Sequence, residues 1–159
     1  MPTLIPKGLD SHLTPDKARA FLGLIRAGEW LETNLDRSLE TRHGLSLRGF
    51  EVLLFLAEVG EEGALRMSDL NSWTPLSQSR VSRLVAELEE KGLVEREKSP
   101  DDGRGVTVTI TAAGLAKFRE ARTTHLEDLN RLVFDRLDEE ELRQLAASTA
   151  KLLSEPPPD

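Results

Sequence analysis

Cysteine is absent from the chain, which excludes disulfide frameworks, thiolate metal sites and thiol-based redox sensing. No uninterrupted apolar run approaches the roughly 20 residues that cross a bilayer, so an integral membrane protein is not expected. The opening MPTLIPKGLDSHLTPD lacks a charged leader followed by an apolar stretch, and the expectation is a cytoplasmic protein. An excess of positive charge is missing too: 21 Lys and Arg stand against 28 Asp and Glu, a net charge of −7. A uniformly acidic surface repels nucleic acid, so any DNA-binding role must rest on a local basic patch. There is no Gly-rich phosphate loop, no Gly-x-Ser-x-Gly elbow and no His-Glu-x-x-His. The carboxylates fall on solvent faces of helices, and no enzyme is expected.

What is present is mostly helical pattern. The 159 residues are one domain with extensions, and 38% hydrophobic against 31% charged residues fits long, partly exposed helices. Pro2, Pro6 and Gly8 mark residues 1–13 as a loose arm, and the Pro-rich residues 155–159 as a tail that cannot be helical. Thr14-Pro15-Asp16 is a helix start, and Phe21, Leu24, Ile25, Leu31, Leu35 and Leu39 recur at helical spacing up to Gly44. Ser46 caps a second helix with Phe50, Leu53, Leu54 and Ala57, ended by Gly60 and Gly63. Met67 to Trp73 gives two turns only. Residues 77–91 form a further helix with Val81, Leu84, Val85 and Leu88 on one face, and Gly92 follows at its C-cap.

The period then changes from 3.6 to 2. Leu93 to Lys98 and Val106 to Ile110 read as two strands, joined by the turn-rich Ser99 to Gly105. Thr111 caps a long helix, and Asp138 with Glu141 has the spacing of a capping box for the last one. A helix pair followed by a two-stranded ribbon predicts a mainly α fold with a small β-hairpin wing: a winged helix-turn-helix flanked by long N- and C-terminal helices.

The chemistry concentrates in the helix at 77–91. With its apolar side inward, the outward face of its first half is Ser77, Gln78, Ser79, Arg80, Ser82 and Arg83. No carboxylate occurs from Leu76 through Ala86, whereas Glu87, Glu89 and Glu90 crowd the other half. The positive end of the helix dipole therefore coincides with two Arg and several short hydrogen-bonding side chains. Such an end suits a major groove: N–H groups and Ser hydroxyls hold phosphates while Gln and Arg reach base edges. The bland reading is an ordinary polar face with acids placed for solubility. The wing, residues 94–110, adds Arg104 near its tip, where a minor groove attracts cations, with Asp102 able to orient it. From Ser77 to Arg104 six basic side chains face seven acidic ones, so placement rather than total charge must carry affinity.

Leu65-Arg-Met-Ser-Asp-Leu70, then LSQSRVSRLVAELEEKGLVERE, the Asp-x-Arg wing and VTVTITAAG resemble the MarR family of bacterial transcription regulators. The likeness covers the central fifty residues well, and the flanking helices match in order and length. It implies a homodimer repressing from pseudo-palindromic operators in double-stranded DNA. Ser77, Gln78, Ser79, Arg80, Ser82 and Arg83 match the family's recognition helix, and Asp102 and Arg104 its wing motif. The expected division is a DNA-binding lobe at 46–111 and a helical dimerisation region at 14–45 and 112–154. Surplus apolar residues support the dimer independently: Leu24, Ile25, Leu31 and Leu35 at one end, Leu142, Leu145, Leu152 and Leu153 at the other, exceed what one small winged core needs.

The resemblance further implies a small aromatic or anionic effector and no required cofactor. Phe21, Arg26, Trp30, Phe50 and Phe55 are candidates to line its pocket, with Arg26 as counter-charge; the alternative is core aromatics and a solvated Arg. Some members sense zinc through His and Glu near the end of the first helix and in the fifth, and His43 and His125 are candidates for such a site; isolated surface His is the ordinary explanation. The rival to DNA binding is a winged-helix module that binds protein instead.

Overall fold

The computed structural model describes residues 14–98 and 105–154. The expected arm at 1–13, the wing tip with Asp102 and Arg104, and the tail at 155–159 lie outside the described residues.

Ten elements follow one another: α1 (Pro15–His43), α2 (Leu47–Glu58), β1 (Ala64–Arg66), α3 (Met67–Trp73), α4 (Gln78–Glu90), β2 (Val94–Lys98), β3 (Val106–Ile110), α5 (Ala112–Leu132), a 3₁₀ turn (Phe134–Arg136) and α6 (Glu139–Ser154). The helix starts are written locally. Thr14 Oγ1 accepts from Lys17 N–H at 3.4 Å, and Ser46 Oγ from Gly49 N–H at 3.0 Å. Asp138 and Glu141 close a reciprocal capping box at 2.8 and 2.9 Å. Each cap satisfies an N–H group that the helix itself cannot.

Sequence reading predicts two strands; the structure has three, in the order β1-β3-β2, all antiparallel. The added strand pairs Ala64 with Thr109 and Arg66 with Thr107. It is three residues long, too short for an alternation to register.

The core sits where α2, α4, α5 and the sheet meet. Val52, Leu53, Leu56, Leu70, Val81, Val85 and Val108 are fully enclosed, and Leu39 and Phe118 close it from the two long helices. Phe50 stacks on Phe118 with ring centroids 5.7 Å apart. Burying a side chain of this size contributes about 1.5–3 kcal/mol, so this cluster dominates the lobe's stability.

Polar links fasten the lobe to the first helix. Asp36 Oδ1 accepts from Leu47 N–H at 2.8 Å, and Arg48 bridges Glu32 on α1 at 2.7 Å and Glu51 on α2 at 2.8 Å. At the far side, Gly114 lets the start of α5 come against the chain leaving α4. A Cβ there would lie 2.0 Å from the Leu93 carbonyl oxygen. Thr111 completes the joint, donating its hydroxyl to Gly92 O at 2.7 Å and accepting from Gly114 N–H at 3.0 Å.

Among the described residues, α6 and the first half of α1 are largely exposed. No residue of α6 is buried, and Phe21, Leu24, Ile25, Leu126, Phe134, Leu145, Leu152 and Leu153 are all exposed. Large apolar side chains exposed on α1, α5, the 3₁₀ turn and α6 together are more than a monomer ordinarily leaves in water. One expectation needs correction: Leu35, assigned to the dimer surplus, is buried in this chain's own core.

Candidate nucleic-acid interface

Val81, Val85 and Leu88 seat α4 on the core, which turns its opposite side outward. Ser77, Gln78, Ser79, Arg80, Ser82 and Arg83 are all exposed on that side. Ser77 holds the N-cap backbone position, yet its hydroxyl makes no capping bond; it lies 3.2 Å from Ser79 Oγ. The first N–H groups of α4 thus keep no side-chain partner from Ser77, and the positive end of the dipole stays open to an anion.

The charges around this end are unevenly committed. Arg48 and Arg96, in the same lobe, are each held by carboxylates. No ion pair or side-chain hydrogen bond joins the guanidinium of Arg80 or Arg83 to any other described residue, and both side chains are exposed. An acidic molecule therefore carries two uncompensated cations on one carboxylate-free half-helix.

Beside it lies the ribbon. Gln78 borders a hollow of about 400 Å³ whose other walls are Arg66, Met67, Ser68 and Asn71 from β1 and α3, with Gly105 and Val106 at the base of the wing. The first turn of α4 and the root of the wing thus open onto one concavity. Sequence reasoning missed Arg66, Ser68 and Asn71; only the pairing of β1 with β3 carries them there, and no local pattern announces that pairing. Asn71 Oδ1 is buried without a hydrogen-bond partner among the described residues.

Of β2, only Val94 is buried; Glu95, Arg96, Glu97 and Lys98 all face solvent. Arg96 folds back onto Glu89 of α4, with Nε 2.8 Å from Oε2. Its guanidinium holds the Glu89 carboxyl below the ordinary carboxylate range.

The five residues expected to line an effector pocket do not share one cavity. Phe50 is a core residue, packed between Phe118 and the His125 ring, because its position on α2 faces α5 rather than α1's open side. Phe55 tilts against Trp73 at 5.5 Å, and Phe21 projects into solvent near the start of α1. Arg26 and Trp30 do come together, on one open face of α1 with Glu29, Thr33, Asn34 and Arg37. The Trp30 ring also carries the Arg136 guanidinium 5.1 Å from its centroid.

His43 and His125 each have another explanation. His43 Nε2 lies 2.7 Å from Thr124 Oγ1, an α1–α5 link. His125 packs on Phe50 at 4.7 Å, and burial pushes its imidazole below the ordinary histidine value against the pull of Asp128 and Glu51. Among the described residues no group of three or more His, Asp or Glu could hold a metal ion. Nor, among them, is any helix long and apolar enough to cross a membrane.

Comparison with known proteins gives a consistent picture. Residues 43–105 match the model of the MarR family. The chain is 31% identical over 121 residues to the transcriptional repressor MprA of Escherichia coli K12, an alignment covering 73% of this chain and 68% of the repressor. The crystal structure of AbsC, a MarR family transcriptional regulator from Streptomyces coelicolor, superposes with a TM-score of 0.83 at 30% identity, covering 89% of this chain and 94% of that one. Sco3205, a MarR family transcriptional regulator from the same organism crystallised in complex with DNA, superposes at 0.84 with 32% identity, over 92% and 95% of the two chains.

Proposed function

The chain belongs to the MarR family, and on that premise we propose that it is a transcriptional repressor that binds a pseudo-palindromic operator as a homodimer. Each protomer lays the N-terminal half of α4 in a major groove and its wing along the neighbouring minor groove. Residues 46–111 form the DNA-binding lobe, and 14–45 with 112–154 the dimerisation region.

The observation that carries this reading is the exposed, carboxylate-free half-helix with Arg80 and Arg83 unpaired in an otherwise acidic molecule. Arg83 and Gln78 are the proposed base readers, while Ser77, Ser79, Ser82 and Arg80 hold phosphates. Asp102 and Arg104 are assigned to the wing contact. The exposed leucines of α6 and the apolar start of α1 cover one another across a twofold axis, which separates the two recognition helices by about 34 Å, one turn of DNA.

The proposed signal is a small aromatic or anionic effector, for which Arg26 and Trp30 supply a cation and a ring on one open face of α1. No cofactor enters the proposal.

The test is gel retardation of duplexes selected by the protein from a random-sequence library, repeated across a salt series. A DNA-binding role gives a saturable complex whose affinity falls steeply as salt rises. A protein that selects no duplex, and whose weak complexes do not respond to salt, is instead a winged-helix module for protein partners.

A further inference from the structure

The outer strand of the wing, β2, is anchored by few buried side chains. β2 is an edge strand, and beyond Val94 every side chain on it faces solvent. The chain joins α4 to β2 through Gly92, a residue with φ 69° and nothing within 4 Å of where a Cβ would stand. Backbone bonds close the base of this joint, Leu93 N–H to Leu88 O at 2.9 Å and Thr111 N–H to Leu93 O at 3.1 Å, but past Val94 no buried side chain of β2 holds the strand to the helix.

Beyond that base, among the described residues, a side chain of α4 ties the helix to β2. Glu89, on the last turn of α4, accepts from the outward backbone N–H of Arg96 at 3.1 Å through Oε1. Its other oxygen accepts from Arg96 Nε at 2.8 Å and from Nη2 at 2.5 Å. One carboxylate thus takes three charge-assisted hydrogen bonds, two from a fork and one from an edge-strand N–H that has no neighbouring strand. From sequence Glu89 reads as one of three acids crowding the helix end for solubility. Its geometry is that of a clasp.

We propose that Glu89 and Arg96 are positioning residues for DNA recognition, fixing the angle of the wing to the recognition helix so that both reach their grooves together. The inference rests on the DNA-binding reading above. A pre-set angle removes an ordering cost from complex formation, and it matters most for a duplex whose two grooves must be met in register. The pair stays ionised through the neutral range, because Arg96 keeps the Glu89 carboxyl below its ordinary range.

Charge and geometry make opposite forecasts for the same variant, which makes the test decisive. Glu89→Gln removes a negative charge beside a polyanion, so electrostatics alone predicts tighter binding. The clasp predicts weaker binding to a selected duplex, by about tenfold, on the scale of one lost base contact. A scrambled duplex of the same composition, bound through phosphates, holds or gains affinity, and the selectivity ratio falls. Arg96→Lys keeps the charge but loses the planar fork, and also weakens the selected complex. The double variant loses no more than the worse single one, since both remove the same contact. Melting temperatures are recorded beside each affinity. If Glu89→Gln does not fold, Arg96→Lys, which preserves the ion pair, decides alone.

A Glu89→Gln protein that binds the selected duplex as tightly as the parent, or tighter, with its selectivity intact overturns the inference. So does an Arg96→Lys protein with unchanged affinity. Failure of the parent protein to distinguish any selected duplex from its scramble contradicts the DNA-binding reading itself, and takes this inference down with it. The two failures are distinguishable because one appears only in the variants.

Discussion

Gly114→Ala is a one-carbon change with a large expected consequence. The new Cβ would sit 2.0 Å from Leu93 O, 2.9 Å from Leu93 C and 2.9 Å from Ile110 Cγ1. Two of these three atoms are backbone, so no rotamer relieves the overlap; α5 must move away from the chain that leaves α4. That movement strains the Thr111 N–H to Leu93 O bond at 3.1 Å and the Thr111 hydroxyl bond to Gly92 O at 2.7 Å. Overpacking costs about 1–3 kcal/mol and each weakened hydrogen bond about 0.5–1.5, set against a gain of up to about 1 for Ala in a helix. The expected net loss is about 3 kcal/mol, or a fall of roughly 6–12 °C in melting temperature at this chain length. The assay is thermal and urea unfolding of the full chain at fixed protomer concentration, because the proposed dimerisation would couple stability to concentration. Ala113→Gly, at an exposed position one residue earlier, is the control and should cost no more than about 1 kcal/mol. A Gly114→Ala protein that melts within about 2 °C of the parent would refute the close-approach argument.

Other outcomes are equally specific. Arg83→Ala should weaken the selected-duplex complex by about 1–3 kcal/mol, roughly 5- to 150-fold, with no change in melting temperature; an unchanged affinity removes Arg83 from the reading set. Leu145→Asp puts a charge on the open face of α6 and should give folded monomers in sedimentation that no longer retard DNA, whereas a persisting dimer would refute twofold helix exchange. For His125 the burial-lowered pKa means that the unfolded chain takes up a proton before the folded one does. Stability is therefore full above the ordinary histidine value of about 6.5 and declines as pH falls through and below it. In urea titrations His125→Phe should flatten that part of the pH dependence, and an unaltered slope would mean the group is not responsible.

How much of this was readable without coordinates depended on the range of the interaction. Caps at Thr14, Ser46, Thr111 and Asp138 involve partners three residues away, so the helix starts were legible. The same holds for Val81, Val85 and Leu88, whose spacing alone puts the polar half of α4 outside. β1 was not legible, because its pairing with β3 is set some forty residues further along and its three residues carry no period. Phe50 and Phe55 illustrate a different limit. Aromatics at helical spacing state that a face is apolar, without stating whether a core or a ligand covers it, and here Phe118, His125 and Trp73 cover them. Glu89 looked like its neighbours Glu87 and Glu90 until the turn at Gly92 brought Arg96 against it.

The central claim is that a negatively charged dimer presents two cationic half-helices to successive major grooves on one side of DNA. Hydroxyl-radical footprinting on a selected duplex tests it in a single experiment. The account predicts two protected patches related by twofold symmetry and centred about one helical turn apart, both lost in Arg80→Ala/Arg83→Ala protein. One unsymmetrical patch, or symmetric protection that survives the loss of both arginines, would contradict it.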